Sequence, residues 1–292
     1  MKQSLFILTL FLGFGLISCS SDNDDWDDSF VSDATKAAQL KLYPEARSIK
    51  WGQKGDYLIA EFYLHKKEVE AWYDNIGNWY MTETDWTFNE LPLAVKTAFE
   101  QTAYALWKID EVDKLERQNR ELLYIIEVEK GKKEIKLYYT ADGVLVSKSV
   151  DVDHSDNHSP LLPTTIPSEI QQHLDAHHKH ARIVHVGYEQ RGFWKVKLVE
   201  DFSKKEVLFK DEPISWLLTK WEIRELPQVV LAGIDKTEYS KANGWKIDDV
   251  EQIDTASGTF YEVEFEKGEQ EVELIFNTLG ELADLDFYQE VK

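Results

Sequence analysis

The sequence predicts an α+β protein of four tandem repeats, each one helix packed on a four-stranded antiparallel sheet, arranged as two tandem pairs. Three observations carry this. First, a short string recurs: Lys66-Lys67-Glu68-Val69, Lys132-Lys133-Glu134-Ile135, Lys204-Lys205-Glu206-Val207 and Glu269-Gln270-Glu271-Val272. Nine residues after each glutamate stands a turn position, Gly77, Gly143, Ser215 and Gly280, so both landmarks repeat at spacings of 66, 72 and 65 residues. Two landmarks kept in phase four times define a repeated unit. Second, every copy runs from helical periodicity into period-two alternation. Third, the stretch 151–160 is polar, lacks periodicity and ends at Pro160. That composition separates one pair of copies from the other as a linker.

Amphipathic helices are expected at about 31–43, 91–104, 166–180 and 226–236. Leu91, Val95, Ala98 and Phe99 recur at helical spacing in the second. The last three open with Leu91-Pro92, Ile166-Pro167 and Leu226-Pro227, and proline is tolerated where a helix start has no use for its N–H. Alternating strands follow. In the first copy Tyr57, Ile59 and Glu61 alternate with Leu58, Ala60 and Phe62. In the fourth, Tyr261, Val263 and Phe265 share one face, while Glu262, Glu264 and Glu266 share the other, which reads as a solvated face. An antiparallel sheet permits one apolar and one wet face, and the helix is expected to cover the apolar one. Gly77, Gly143 and Gly280 suit tight hairpins that need positive φ; Ser215 calls for a turn of another type. The second and fourth copies match best, with Trp107-Lys108-Ile109-Asp110-Glu111-Val112 parallel to Trp245-Lys246-Ile247-Asp248-Asp249-Val250.

The first thirty residues carry an address. Lys2 is followed by an apolar run from Leu5 to Ile17 that falls short of the roughly 20 residues a spanning helix needs. It fits a secretory signal over 1–18. The run ends Leu16-Ile17-Ser18-Cys19, which resembles the lipobox of bacterial lipoproteins and implies cleavage before Cys19 and lipidation of its thiol. More than one acyl chain makes stable anchoring possible, because each buried CH₂ contributes roughly 0.8 kcal/mol. Cys19 is the only cysteine, which excludes a disulfide framework. Residues 19–30 read as an acidic solvated tether, and Asp22 to Asp28 resemble the export signal of surface lipoproteins of Bacteroidetes. Ser20 replaces the aspartate that retains many lipoproteins at the inner membrane, so an outer-membrane lipoprotein is expected, facing the periplasm or the cell surface. The expected organisation is therefore signal 1–18, tether 19–30, first pair 31–152, linker 153–160 and second pair 161–292.

Formal charge is −21, and loss of Lys2 with the signal makes the mature chain more acidic still. Such a surface repels phosphate backbones and excludes nucleic acid as a partner. No phosphate-cradling loop or nucleophile elbow is present, and the carboxylates recur at strand positions expected to face water, so no catalytic residue is assigned. Six of the eight histidines lie between 154 and 180. His173 and His177 are four apart on a helix and are weak candidates for a metal, without the glutamate after His173 that a zinc peptidase needs. Asp151, Asp153 and Asp156 offer oxygen ligands but not the spacing of a calcium loop. No cofactor is expected. Trp51, Trp107 and Trp245 occupy equivalent strand starts and read as core. Trp79 and Trp216, just past hairpin turns, are candidate partner-binding residues, together with Glu262, Glu264 and Glu266.

One copy brings the sequence to a family. The first reads Leu42-Tyr43-Pro44-Glu45-Ala46-Arg47-Ser48-Ile49-Lys50-Trp51, then Gly55-Asp56-Tyr57, a strand, and Asp74-Asn75-Ile76-Gly77-Asn78-Trp79. This resembles the PepSY-like, beta-lactamase-inhibitor-like (BLIP-like) proteins of Bacteroidetes. The match is close in the first copy, fair in the second and fourth, and weak in the third. The resemblance implies a helix on a four-stranded antiparallel sheet used in tandem pairs, and of itself no activity. The four-fold repeat, the absence of a nucleophile constellation and the acidic charge lead to the expectation of a non-enzymatic envelope lipoprotein that binds a protein or peptide, with a peptidase-inhibitor-like role only by analogy to PepSY relatives. The alternative is a glycan- or small-ligand-binding lipoprotein of a nutrient-uptake system.

Overall fold

The structure is a computed structural model that describes residues 28–151, 161–189 and 192–285. The signal segment, Cys19, most of the tether, the linker 153–160 and the histidines and aspartates within it lie outside the described residues.

Each helix precedes a run of antiparallel strands. Helix α1 (Asp33–Leu42) leads into β1 (Arg47–Lys54), β2 (Tyr57–Leu64), β3 (Lys67–Tyr73) and β4 (Trp79–Asp85). Helix α2 (Leu93–Glu100) leads into β5 (Lys108–Arg117), β6 (Leu123–Lys130), β7 (Lys133–Thr140) and β8 (Leu145–Asp151). Helix α3 (Ser168–His177) precedes β9 (Arg182–Glu189), β10 (Phe193–Glu200), β11 (Ser203–Lys210) and β12 (Ser215–Glu222). Helix α4 (Gln228–Ile234) precedes β13 (Lys246–Thr255), β14 (Gly258–Lys267) and β15 (Gln270–Asn277). The helices are shorter than the periodicity suggested. Pro92, Pro167 and Pro227 occupy the N-cap positions, just outside the first turn.

The strands do not form four separate sheets. They join in sequence order into one eight-stranded sheet, β1 to β8, and one seven-stranded sheet, β9 to β15. The join between consecutive copies is β4 on β5 in the first sheet and β12 on β13 in the second. An isolated four-stranded sheet leaves two open edges, and pairing the last strand of one copy with the first of the next removes one from each. Among the described residues the fourth copy contributes three strands, followed by an isolated bridge from Phe276 to Leu282.

Period-two alternation divides each sheet into a helix side and an open side. On the helix side of the first sheet, Ala60, Phe62, Val69, Ala71 and Tyr73 pack with Ala38 of α1. Val112, Ile126, Val128, Ile135, Leu137 and Tyr139 pack with Val95 and Phe99 of α2. In the second sheet Val186, Val196, Leu198, Val207 and Phe209 meet Ile170 and Leu174, while Val263, Phe265 and Phe276 meet Val230 and Ile234. The hairpin glycines are part of this packing. Gly77, Gly143 and Gly280 have φ of +88°, +85° and +74°. A Cβ at Gly143 would lie 2.6 Å from the Ala94 carbonyl oxygen, so the hairpin rests directly on the first turn of α2.

The open side of the first sheet is apolar over one half, and that half is covered. Ile59, Trp72, Met81, Leu115, Leu123, Ile125 and Tyr138 form one buried cluster with Val184 of β9 and Val199 of β10, flanked by Leu161 and Leu162. Polar contacts rim this junction. Arg182 bridges Glu121 and Asp142, each at 2.7 Å, and the Glu121 N–H donates to the Ile183 carbonyl at 2.8 Å. No helix among the described residues is long and apolar enough to cross a membrane.

Candidate functional site

The uncovered half of the same open side is acidic. Glu61, Glu70 and Glu83 are register partners across β2, β3 and β4, so their side chains emerge side by side. The row continues where β4 meets β5, because Asp85 is the partner of Asp113, and Glu111 projects to the same face two residues before Asp113. Across β6 and β7, Glu127 faces Lys136 and pairs with it at 3.0 Å. The groove along this row, about 580 Å³, is lined by seven carboxylates and three lysines, Lys136 among them, so its field is negative. Trp72 closes the floor at 1% exposure and donates its indole N–H to Glu70.

Crowding shifts the carboxylates. Asp113 is 5% exposed, and burial pushes its carboxyl well above the usual range, with Glu83, Glu111 and Asp85 adding repulsion and Lys136 opposing it. Glu111 is raised to about 7, chiefly by loss of water, eased by Lys136 and reinforced by Glu127, Glu83 and Asp85. Asp85 is raised by burial and by Glu68, against Lys67. Burial works against the charge of Lys136, but Glu127, Glu83 and Glu111 outweigh it and hold the amine protonated. One oxygen each from Asp85, Glu111 and Asp113 lie within 4.8 Å of one another, and among the described residues this is the one such group able to hold a metal ion.

The candidate residues read from the sequence fall elsewhere. Glu262, Glu264 and Glu266 do share one face of β14, but it is not a uniformly wet face. Glu262 is 5% exposed and lies 3.8 Å from the Lys220 amine, which also meets Glu251 at 2.6 Å. The expectation of a solvated glutamate fails there because β13 and β12 bring these charges together. Glu264 and Glu266 remain partly exposed. Trp79 and Trp216 stand on the helix side, half-buried against the helix-side clusters, each donating its indole N–H to the threonine three residues further along, Thr82 at 2.8 Å and Thr219 at 3.1 Å. Neither borders the acidic groove. His173 packs its ring on Trp216 at 5.6 Å and edge-on to Phe209 at 5.2 Å. Its centroid is 4.5 Å from that of His177, but no third ligand joins them among the described residues. Burial, with His177 and His178 adding, lowers His173 to about 4, so it is a neutral packing ring.

Sequence reasoning passed over Asp85, Glu111 and Asp113 by treating strand carboxylates as water-facing. A signal existed. The fourth copy is the close counterpart of the second, and Lys220 stands where Glu83 stands, each one residue after the threonine that accepts the tryptophan N–H.

Comparison with known proteins places the sequence in a family. The family described as "Putative beta-lactamase-inhibitor-like, PepSY-like" matches residues 60–147, 153–212 and 204–284. The chain belongs to this family. The matched segments include the third copy, where the resemblance looked weakest, and begin after the motif at 42–51 that first suggested it. A solved BLIP-like protein from Bacteroides fragilis is 37% identical, over 47% of this chain and 94% of that one, with a TM-score of 0.42. A solved DUF2874 family protein from Bacteroides ovatus is 27% identical, over 43% of this chain and 92% of that one, also at 0.42. No curated protein matches the chain.

Proposed function

We propose that the chain is a non-enzymatic binding protein of the cell envelope, anchored through lipid on Cys19, and that the acidic groove on the open side of its first sheet receives basic side chains of a protein or peptide partner. The observation that carries this reading is the row Glu61, Glu70, Glu83 and Asp85 beside an apolar floor of Ile59 and Trp72. Membership of an inhibitor-like family supports binding without turnover. Carboxylates in a groove raise the local concentration of cations and speed association with a positively charged partner. A glycan site built on tryptophans would need them exposed along one groove, whereas Trp72 is buried beneath the groove and Trp79 and Trp216 are tied into the helix side.

The test compares the full chain with a Glu61→Gln/Glu70→Gln/Glu83→Gln variant on arrays of peptides graded in lysine and arginine content, and on envelope proteins from the same cells. Retention of basic ligands by the native chain should fall steeply as salt shortens the Debye length from about 10 Å at 0.1 M to about 3 Å at 1 M, and the triple variant should lose it. Ligands that bind regardless of salt and of the three substitutions would refute the acidic-groove reading. The anchor is tested separately, since Cys19→Ala should abolish incorporation of labelled fatty acid and release the protein from membranes.

A further inference from the structure

The junction of β4 and β5 has features that a generally acidic surface does not need. Asp113 is buried, and among the described residues its carboxylate accepts no hydrogen bond and joins no ion pair. A buried carboxylate without a partner is costly as an anion, so the group takes up either a proton or a cation. Lys136, whose charge opposes the repulsion on Asp113, is engaged by Glu127 at 3.0 Å. The Asp113 carboxylate instead points into the space shared with Asp85 and Glu111, where one oxygen from each residue lies within 4.8 Å of the other two.

The second sheet fills the matching space with a cation of its own. Counting from the shared Trp107 and Trp245, Asp113 corresponds to Glu251; counting from Trp79 and Trp216, Glu83 corresponds to Lys220. The Lys220 amine lies 2.6 Å from Glu251 and 3.8 Å from Glu262. The strand register agrees, since Asp85 faces Asp113 and Glu222 faces Glu251. Where the second sheet supplies an ammonium among its carboxylates, the first supplies another carboxylate.

We infer that Asp85, Glu111 and Asp113 bind a divalent cation of the calcium type, with Glu83 adding negative charge beside them. Three carboxylate oxygens favour a hard cation over zinc or copper, which take nitrogen or sulfur. One ion can reach an oxygen of each residue, since all lie within 4.8 Å of one another, and calcium's flexible shell at about 2.3–2.6 Å accepts an irregular carboxylate set more readily than magnesium's strict octahedron at about 2.0–2.1 Å. Water completes the coordination on the groove side. This site requires no macromolecular partner and stands independently of the binding reading above.

Titration calorimetry of the full chain with calcium chloride alone tests it, with magnesium chloride for comparison. One calcium should bind with Kd in the range of about 10⁻⁴–10⁻³ M, that of open extracellular sites, and should raise the melting temperature. Asp113→Asn and Glu111→Gln should each weaken binding at least about tenfold, the lower end of what losing even a supporting residue of a metal site costs. Glu83→Lys, which copies the second sheet, should abolish binding and the thermal shift while itself preserving the fold. Glu45→Gln, at an exposed carboxylate that pairs with His65, should change nothing. Absence of heat and of any thermal shift up to about 10 mM calcium, beyond the weakest of those sites, overturns the inference. Calcium binding that survives both Glu83→Lys and Asp113→Asn, or tighter binding of magnesium, does so equally.

Discussion

The amine of Lys220 lies 2.6 Å from the Glu251 carboxylate in the second sheet, at the place where the first sheet sets Glu83 near Asp113. Burial works against the Lys220 charge, but Glu251, Glu262 and Glu206 outweigh it and raise its pKa. Removing one member of a buried ion pair leaves the other uncompensated, at a cost of about 3–5 kcal/mol. Lys220 and Glu251 each keep 19% of their side-chain exposure, so Lys220→Met should destabilise the protein by less than that, about 1–3 kcal/mol, in urea unfolding at neutral pH. Adding Glu251→Gln should recover a part of the loss. A Lys220→Met protein as stable as the native chain would mean that the Glu251 and Glu262 carboxylates do not depend on this amine.

A second prediction concerns the contact between hairpin and helix. Gly143 and Gly131 both have positive φ, +85° and +71°. Only at Gly143 would an added methyl meet protein, 2.6 Å from the Ala94 carbonyl oxygen, while nothing lies within 4 Å at Gly131. Gly131→Ala should cost about 1–2 kcal/mol, the left-handed penalty alone. Gly143→Ala should cost more, because α2 must also move away from the turn. Equal losses in chemical denaturation would show that the hairpin does not rest on the helix.

Much of this architecture was legible in the sequence, for identifiable reasons. The turn glycines repeat because the φ they adopt and the approach of each helix both exclude a side chain, so the sequence advertises them. Tyr261, Val263 and Phe265 reveal their face because a helix must cover it. The open face is different. Alternation shows that Glu262 and Asp113 point away from the helices, but not what meets them there. That depends on register across β4–β5 and β12–β13, between copies, which no local pattern encodes. The joining of copies into continuous sheets escaped notice for the same reason, since any strand edge can pair with any other. The tryptophans misled because a residue just past a turn can belong to either face, and the partners Thr82 and Thr219 settle the choice.

The histidine at the sheet junction predicts a pH dependence. His185 on β9 faces Lys197 on β10, with Arg117 on β5 and Arg120 just beyond it, and Glu189 as the opposing charge. Burial first, then these cations, lower it to about 4. Its folded pKa thus lies below the ordinary value near 6.5, so the unfolded chain takes up the proton first as pH falls. The stabilising effect of a neutral His185 is complete above pH about 6.5, declines as pH falls towards 4, and is exhausted below that. At pH 5 the linkage amounts to about 2 kcal/mol. A His185→Gln variant should lose less stability than the native protein between pH 7.5 and pH 5, by about that difference. The comparison with the native chain cancels the acidic groups of the groove, which titrate in both. Parallel pH profiles for the two proteins would refute the assignment.

Covering the apolar half of the first sheet with β9 and β10 makes the two sheets one assembly, even though a single stretch of chain connects them. Trp72, Met81, Leu115 and Leu123 are at most 2% exposed, and Val184 and Val199 belong to the same cluster. At roughly 25 cal/mol per Å² of apolar surface, such a cluster outweighs the few polar contacts at its rim. A specific protease site introduced within 153–160, followed by complete cleavage, should therefore leave both fragments migrating together in gel filtration. Arg182→Ala removes the bridges to Glu121 and Asp142, which are partly exposed and together contribute about 1 kcal/mol. It should weaken the cleaved complex without separating it. Substituting Val199 by aspartate places a charge in the cluster without a partner, and should release the fragments. Separation of the native fragments on cleavage, or continued association with Val199→Asp, would show that the sheets are held by the connecting chain and not by the face they share.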